Sequence, residues 1–427
     1  VRLVLPALLL PAITSFASAQ FVSGDWEYTV DLEGQPPVEV VVITNYIGPV
    51  GPAMVPAVID GKEVRSLGNG SVTIDAQSRL TGVVVPATVT AIARDAFRWS
   101  TNLSTVSLGP EVKSIGYAAF AQGGLRSINI SDSVTVLGDY AFYGAPRLTN
   151  VVFGNGITNI PSYAFALSTN LPSVALPPTV RGISAFAFAL CTALTNAPLP
   201  YGVTTIGASA FSGCRALPEV VIPDTMLSIG NEAFKDCRSM TNLVLGVGLT
   251  NIAYGAFAFC DSLQTARLPP GLRTVFGSTV YSCTKLSSLV VGASVTNLGD
   301  YPFANCPNLT SVLFKGDAPA VSAGGSNLFG GSTNAVVYAM PGSSGWTSSF
   351  GVRPVRWFLP TVNSASLSQG VGFLFSWSGT GSIPMDVQRR DSLQTGAWGD
   401  LHAAVTNGAW LDTSPPLESA FYRAVLP

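Results

Sequence analysis

Apolar residues return at one fixed interval through the middle of the chain. A Phe, usually preceded by Ala, stands at Phe97, Phe120, Phe142, Phe165, Phe188, Phe211, Phe234, Phe257 and Phe303, and Val280 takes the remaining slot. Each step is 23 residues, except for 22 between Phe120 and Phe142. A finer pattern surrounds every anchor. In residues 217–237 the apolar positions are Leu217, Val220, Ile222, Met226, Ile229, Ala233, Phe234 and Cys237; an earlier copy has Leu103, Val106, Leu108, Val112, Ile115, Ala119 and Phe120. Val220 and Ile222 alternate with outward positions, which predicts a short strand. Pro223 ends it, having no N–H to donate. Ile229-Gly230 predicts a turn, and Ala233-Phe234 a plug in which the small residue lets backbones approach while the ring fills the interior.

A period of this size predicts a solenoid, because one coil cannot bury its own apolar face and must stack on neighbours. Parallel strands from successive coils would make a sheet rising about 4.8 Å per coil, roughly 45 Å over the ten.

The string Leu-x-x-Val-x-Ile-Pro-x-x-x-x-x-Ile-Gly-x-x-Ala-Phe-x-x-Cys at 217–237 resembles the BspA-like branch of the leucine-rich repeat family, found in secreted and surface proteins of bacteria and some protozoa. The resemblance implies a β-rich α/β solenoid, curved, with its parallel sheet on the concave side. It also implies adhesion to host or matrix proteins for some members.

The flanks break the period. Residues 1–19 open with Arg2, run apolar from Leu3 to Ile13 and end in Ala17-Ser18-Ala19, the layout of a secretory signal peptide. That apolar run is shorter than the ~20 residues a bilayer needs. Residues 20–78 read as an N-terminal cap with blurred coils: strands at Trp26 to Val30 and Val38 to Ile43, then Val64 and Leu67-Gly68 echoing the Ile-Gly step. The solenoid occupies 79–314. Residues 315–360 resemble an exit cap, in which a final strand, Trp346 and Trp357 would close the end. Residues 361–427 read as a separate small all-β, sandwich-like domain with strand patterns at Phe373 to Trp377, Met385 to Gln388 and Ala420 to Val425.

Charge and chemistry narrow the function. With 22 basic and 24 acidic residues and only 11% charged, the surface has no field suited to nucleic acid. Apolar residues fall at repeat spacing, so no membrane span is expected after the signal. The one histidine, His402, has no Gly-x-Ser-x-Gly elbow to serve, and no phosphate loop is present. Asp95, Asp139, Glu232 and Asp300 fall on the expected solvent side. The chain reads as non-catalytic, with no cofactor and no metal. Six cysteines, Cys191, Cys214, Cys237, Cys260, Cys283 and Cys306, each follow an anchor slot by three residues. Stacked equivalents would sit about 4.8 Å apart, wider than the ~3.8 Å between Cβ atoms that a relaxed disulfide prefers. A buried ladder of free thiols is therefore expected, and Ser100, Ala145 and Ser168 in the same slot fit a small packing residue. At the ninth coil Val275-Phe276-Gly277 and Val280-Tyr281 replace the usual pairs; either Phe276 or Tyr281 refills the space, or the stack is loose.

The repeat also predicts an outward row: Ser107, Asn129, Val152, Ala175, Pro198, Val221, Val244, Arg267, Val290 and Leu313. Two places earlier stands a polar row that includes Asn196, Glu219 and Asn242. An apolar stripe beside hydrogen-bonding side chains has the layout of a protein-binding surface, although valine also simply favours strand. The candidate site is Val152, Asn196, Glu219, Val221, Asn242, Val244, Arg267, Val290 and Leu313. These features predict an exported scaffold, extracellular, at the cell surface or periplasmic, that binds a surface or extracellular protein, or a glycan. The alternatives are a spacer that presents a glycan-binding or attachment module at 361–427, and an accessory part of a secreted hydrolase system.

Overall fold

In the computed structural model, residues 20–358 are described apart from 72, 76, 77 and 323–326, together with the backbone of six strands between 361 and 425. The proposed leader at 1–19 and His402 lie outside the described residues.

Each coil makes three segments. The first carries the expected strand, such as Thr105–Ser107, Ser127–Ile130, Asn150–Phe153, Glu219–Val221, Asn242–Val244, Thr265–Arg267, Ser288–Val291 and Ser311–Phe314, all paired in parallel with the coil beside them where they pair. The second segment corrects the sequence reading. Ile229 belongs to a two-residue strand, Ser228–Ile229, and equivalent strands recur from Ala91–Ile92 to Ala320–Val321 as a second parallel row.

The third segment carries the anchor and replaces the expected helical element: no α-helix occurs among the described residues. The cause is local. The residues two before and two after each anchor have positive φ, as at Ser209 (53°) and Gly213 (74°) around Phe211 or Glu232 (54°) and Asp236 (61°) around Phe234. Alternation into the left-handed region is incompatible with a right-handed helix. It turns every second amide toward the next coil, so Ser209, Phe211 and Gly213 donate to Asn231, Ala233 and Lys235 at 2.7–2.8 Å, while Ala210 and Ser212 donate to Gly207 and Ser209 within their own coil. The turns are thereby hydrogen-bonded from coil to coil, satisfying backbone that a helix would have satisfied within itself.

The anchors form one column. From Phe97 to Phe257 every consecutive pair of rings stacks with centroids 5.2–5.5 Å apart, and all eight are buried. Val280 interrupts the column, which resumes at Phe303 and continues to Phe329 at 5.5 Å. Neither candidate refills the ninth slot: Phe276 is exposed and Tyr281 half-exposed, while Thr279 and Val280 take the interior. The 22-residue step is absorbed just after Phe120, since Thr105 pairs with Ser127 whereas Ser127 pairs with Asn150. Gly124 permits the shortcut, because a Cβ there would lie 2.0 Å from the Thr101 carbonyl oxygen.

The cysteine slot is more than a filler. All six thiols are free and buried. Each donates to the carbonyl of the preceding anchor slot, as in Cys191 Sγ to Phe165 at 3.2 Å, Cys237 Sγ to Phe211 at 3.3 Å and Cys306 Sγ to Val280 at 3.2 Å. Ser168 Oγ makes the same bond to Phe142 at 3.4 Å. The slot therefore takes small residues, and where Cys or Ser168 fills it the side chain also donates to the neighbouring coil, whereas Gly123 and Ala145 fill it without a donor.

At the start, Trp26–Glu33 and Val38–Tyr46 pair antiparallel, and the latter joins Lys62–Leu67 in parallel at the head of the second row. At the far end Val336–Ala339 and Arg353–Trp357 extend the first row. Trp346 packs on Phe314 and Phe350, each 5.1 Å away, but Trp357 is exposed and closes nothing. Beyond, Thr361–Ser368 pairs with Gly372–Ser378, and Asp386–Arg390 with Phe421–Val425, both antiparallel.

Candidate functional site

The outward row divides in two. Val152, Val221 and Val244 are 49%, 56% and 45% exposed, with Ala175 and Pro198 exposed between them. Beside them Asn150, Ser173, Asn196, Glu219 and Asn242 are exposed as well. Arg267 is half-buried, and then the row closes: Val290 is 2% and Leu313 0% exposed, contrary to the sequence reading. The burial continues along the row: Leu313 pairs with Tyr338, itself buried, against which Phe358 packs edge-on at 6.3 Å, and Ser288 and Ser311 are buried alongside. The open stripe thus spans five coils, about 19 Å at the parallel-strand step.

The strand ribbon is also interrupted within that stripe. Between Asn150–Phe153 and Glu219–Val221 only a single Ser173–Asn196 bridge forms. Pro198, in the outward slot, has no N–H for a ladder. The stripe is continuous as surface and discontinuous as sheet.

Sequence reasoning missed the turn side. Its rings stand in the slot two before the anchor and next to it. Tyr140, Tyr163 and Phe186 stack with centroids 4.5 Å apart and planes within 7°, and Tyr117 joins Tyr140 at 5.3 Å. Burial, then the neighbouring Tyr163 and Tyr117, push the Tyr140 hydroxyl above its usual pKa. Arg94 lies over Tyr117 at 4.4 Å and Arg98 over Trp99 at 4.1 Å, cation–π contacts that hold the rings upright. Two hollows open on this side. One, of about 190 Å³, is lined by Arg98, Tyr117, Gln122, Tyr140 and Tyr143. The other, of about 360 Å³, lies among Tyr254, Phe259, Tyr281 and Tyr301. The signal available in the sequence was aromatic recurrence at that slot, weakened because Asp95, Ala118, Ser209 and Gly255 occupy it elsewhere.

The acidic residues singled out earlier have partners. Asp139 Oδ1 accepts the Ser162 N–H at 2.8 Å, Asp95 pairs with Arg94 and Arg98, Glu232 pairs with Lys235, and Asp300 accepts from Ser322. Arg215 and Arg238 hold Asp236 at 2.8 and 2.5 Å. Partial burial pushes that carboxyl up, but the hydrogen bonds from the two guanidiniums outweigh it, and the net effect is a lowered pKa. Among the described residues no group of three or more His, Cys, Asp or Glu side chains could hold a metal, and no helix is long and apolar enough to cross a membrane.

Stacked coils with two parallel strand rows and an anchor column define a repeat solenoid. The BspA type leucine-rich repeat region matches residues 75–195 and 181–310 in six copies. The chain belongs to this family, whose repeat suits a binding or scaffold role. Among solved structures it is similar to the pneumococcal vaccine antigen PcpA, with 18% identity over 76% of this chain and 94% of that one and a TM-score of 0.48. A leucine-rich repeat protein from Bacteroides ovatus shows 21% identity over 69% and 94% of the two chains, TM-score 0.42. A leucine-rich cell surface protein from Faecalibacterium prausnitzii shows 24% identity over 71% and 97%, TM-score 0.42. No curated protein matches the chain.

Proposed function

We propose that the chain is an exported, non-catalytic scaffold that holds a protein partner on the open part of its first strand row. The observation that carries this reading is the run of exposed apolar residues Val152, Ala175, Pro198, Val221 and Val244, bordered by exposed Asn196, Glu219 and Asn242. Solvent alone does not favour such a run, and an apolar strip with a hydrogen-bonding margin is how protein interfaces are built. The leader-like residues 1–19 favour a partner outside the cytoplasm. Glu219 and Asn242 would fix register, and the valines would supply the buried area.

The test is retention of the purified chain on immobilised extracellular-matrix proteins, wild type against Val152→Asp, Val221→Asp and Val244→Asp combined. These side chains face solvent, so folding survives, which circular dichroism verifies. Retention is expected to fall by at least about 10-fold, as for loss of central interface contacts. Unchanged retention sinks the reading. Val290 and Leu313 are unsuitable targets because Asp there would be buried.

A further inference from the structure

The larger hollow on the turn side lies where two consecutive coils carry small residues between flanking rings. The slot two before the anchor varies along the stack, with rings at Tyr140, Tyr163, Phe186 and Tyr301 and small residues at Ala118 and Ser209; it holds Gly255 in the eighth coil and Ser278 in the ninth, and Ala258 follows the eighth anchor. These small side chains border a cleft of about 360 Å³, walled by the rings of Tyr254, Phe259, Tyr281 and Tyr301. Glu232 and Lys235 line it from the seventh coil. Tyr254, Phe259 and Tyr301 are among the exposed large side chains of the molecule. The irregular ninth coil, with Val280 inside and Tyr281 outside, thus coincides with the cleft.

Its polar groups are oriented. Ser278 Oγ donates to Tyr254 Oη at 3.1 Å, Asn305 Nδ2 to Tyr281 Oη at 2.7 Å, and Asn327 Nδ2 to Tyr301 Oη at 3.2 Å. Every one of these hydroxyls accepts from the protein, so its own proton is left to donate. Lys235 Nζ lies 2.8 Å from Glu232 Oε1 and 5.9 Å from the centre of the Phe259 ring. The pair brings a carboxylate acceptor and an ammonium donor to the cleft with no net charge.

We infer that this cleft is a glycan site that takes a short stretch of neutral oligosaccharide. A pyranose ring presents an apolar face of C–H groups, which packs on an aromatic ring, and a rim of hydroxyls that need both donors and acceptors. Tyrosine rings with oriented hydroxyls beside a Glu–Lys pair supply both. The volume is that of a small-molecule site rather than a protein interface. Because the carboxylate and ammonium cancel, neither a polyanion nor a cationic peptide is favoured. The site lies on the turn segments, apart from the strand stripe, and stands independently of the protein-binding reading.

The experiment titrates the full chain with cellotriose, maltotriose, mannotriose and chitotriose by calorimetry, and follows saturation transfer to the sugar ring protons by NMR. At least one trisaccharide is expected to bind with a dissociation constant of about 1 mM or tighter, with transfer to C–H protons. Tyr281→Ala, which removes a wall, and Ser278→Phe, which puts a ring into the cleft as at Phe186, should each weaken that binding at least about 10-fold. Val221→Asp on the strand side should leave it unchanged. The half-exposed Tyr281 keeps the test sound should Ser278→Phe fold poorly. Absence of heat and of transfer for all four sugars at about 10 mM, or binding that both cleft variants leave intact, overturns the assignment.

Discussion

Phe211 and Phe234, one repeat apart, lie with ring centroids 5.2 Å from each other and planes 1° from parallel. Phe188 lies 5.3 Å from Phe211 on its other side. Phe211 therefore has a ring stacked on each of its faces, and it is buried within the column. Phe211→Ala is expected to cost about 3–5 kcal/mol, and Phe211→Leu about 1–2 kcal/mol, since the first leaves a cavity and the second nearly fills it. Urea midpoints of the two variants measure this. Similar losses for both would mean that the column does not bear the packing assigned to it.

The thiol ladder makes a statement about reactivity and pH. Burial pushes the Cys191 and Cys306 thiols up to about 12, and Cys214 and Cys237 also lie well above the model-compound value of 9.0. Native protein at pH 8 should resist iodoacetamide, and the unfolded chain should take up six equivalents, readable by mass spectrometry. The sign of the stability effect follows from the raised values. Above pH 9 the folded chain holds protons that the unfolded chain releases, so stability is full below that pH and falls as pH rises toward 12. The slope contributed is about 1.4 kcal/mol per pH unit for each thiol. Replacing all six by Ala should remove that part of the alkaline fall; an unchanged slope would place its origin elsewhere.

Left-handed turn residues set a third expectation. Leu190 (φ 60°) and Gly213 (φ 74°) hold the same slot, two after the anchor, in adjacent coils. Gly213→Ala should lower stability by about 1 kcal/mol, because a Cβ is disfavoured in this region and would lie 2.6 Å from Leu190 Cδ2. Leu190→Gly relieves the same strain at an exposed position and should cost less than about 0.5 kcal/mol despite the entropy of the freer unfolded chain. Thermal denaturation of the pair decides. A larger loss for Leu190→Gly than for Gly213→Ala would contradict the reading of these turns.

The period, the anchor column and the first strand row were legible because each repeats one residue type at one interval. Two-residue strands such as Ser228–Ile229 were not, since alternation needs more positions than two, and the Gly after Ile229 reads as a turn on its own. The turn geometry hid behind side chains: only Gly144, Gly213 and Gly255 mark slots that elsewhere hold Tyr140, Phe186 or Leu190 at positive φ. At the candidate site, exposure of Val221 and Val244 followed from strand alternation. Burial of Val290 and Leu313 did not, because alternation tells which face of a strand a side chain takes and not what lies over that face. The cleft beside Tyr281 lies where small Gly255 and Ser278 stand between the rings of Tyr254 and Tyr301, and small residues in a variable slot carry little weight until their neighbours are placed.

Hydrogen bonds on the turn side run from each coil to the next, at the same three positions around almost every anchor. A unit excised whole would leave its two former neighbours facing each other with matching donors, acceptors and rings. The fit at Gly124 shows that even a unit one residue short can be spliced in without disturbing those on either side. Length is accordingly the property this architecture leaves most free, while the irregular ninth unit, with Val280 in place of the anchor ring and Tyr281 turned toward the cleft, is the one whose deletion would remove something the others do not duplicate.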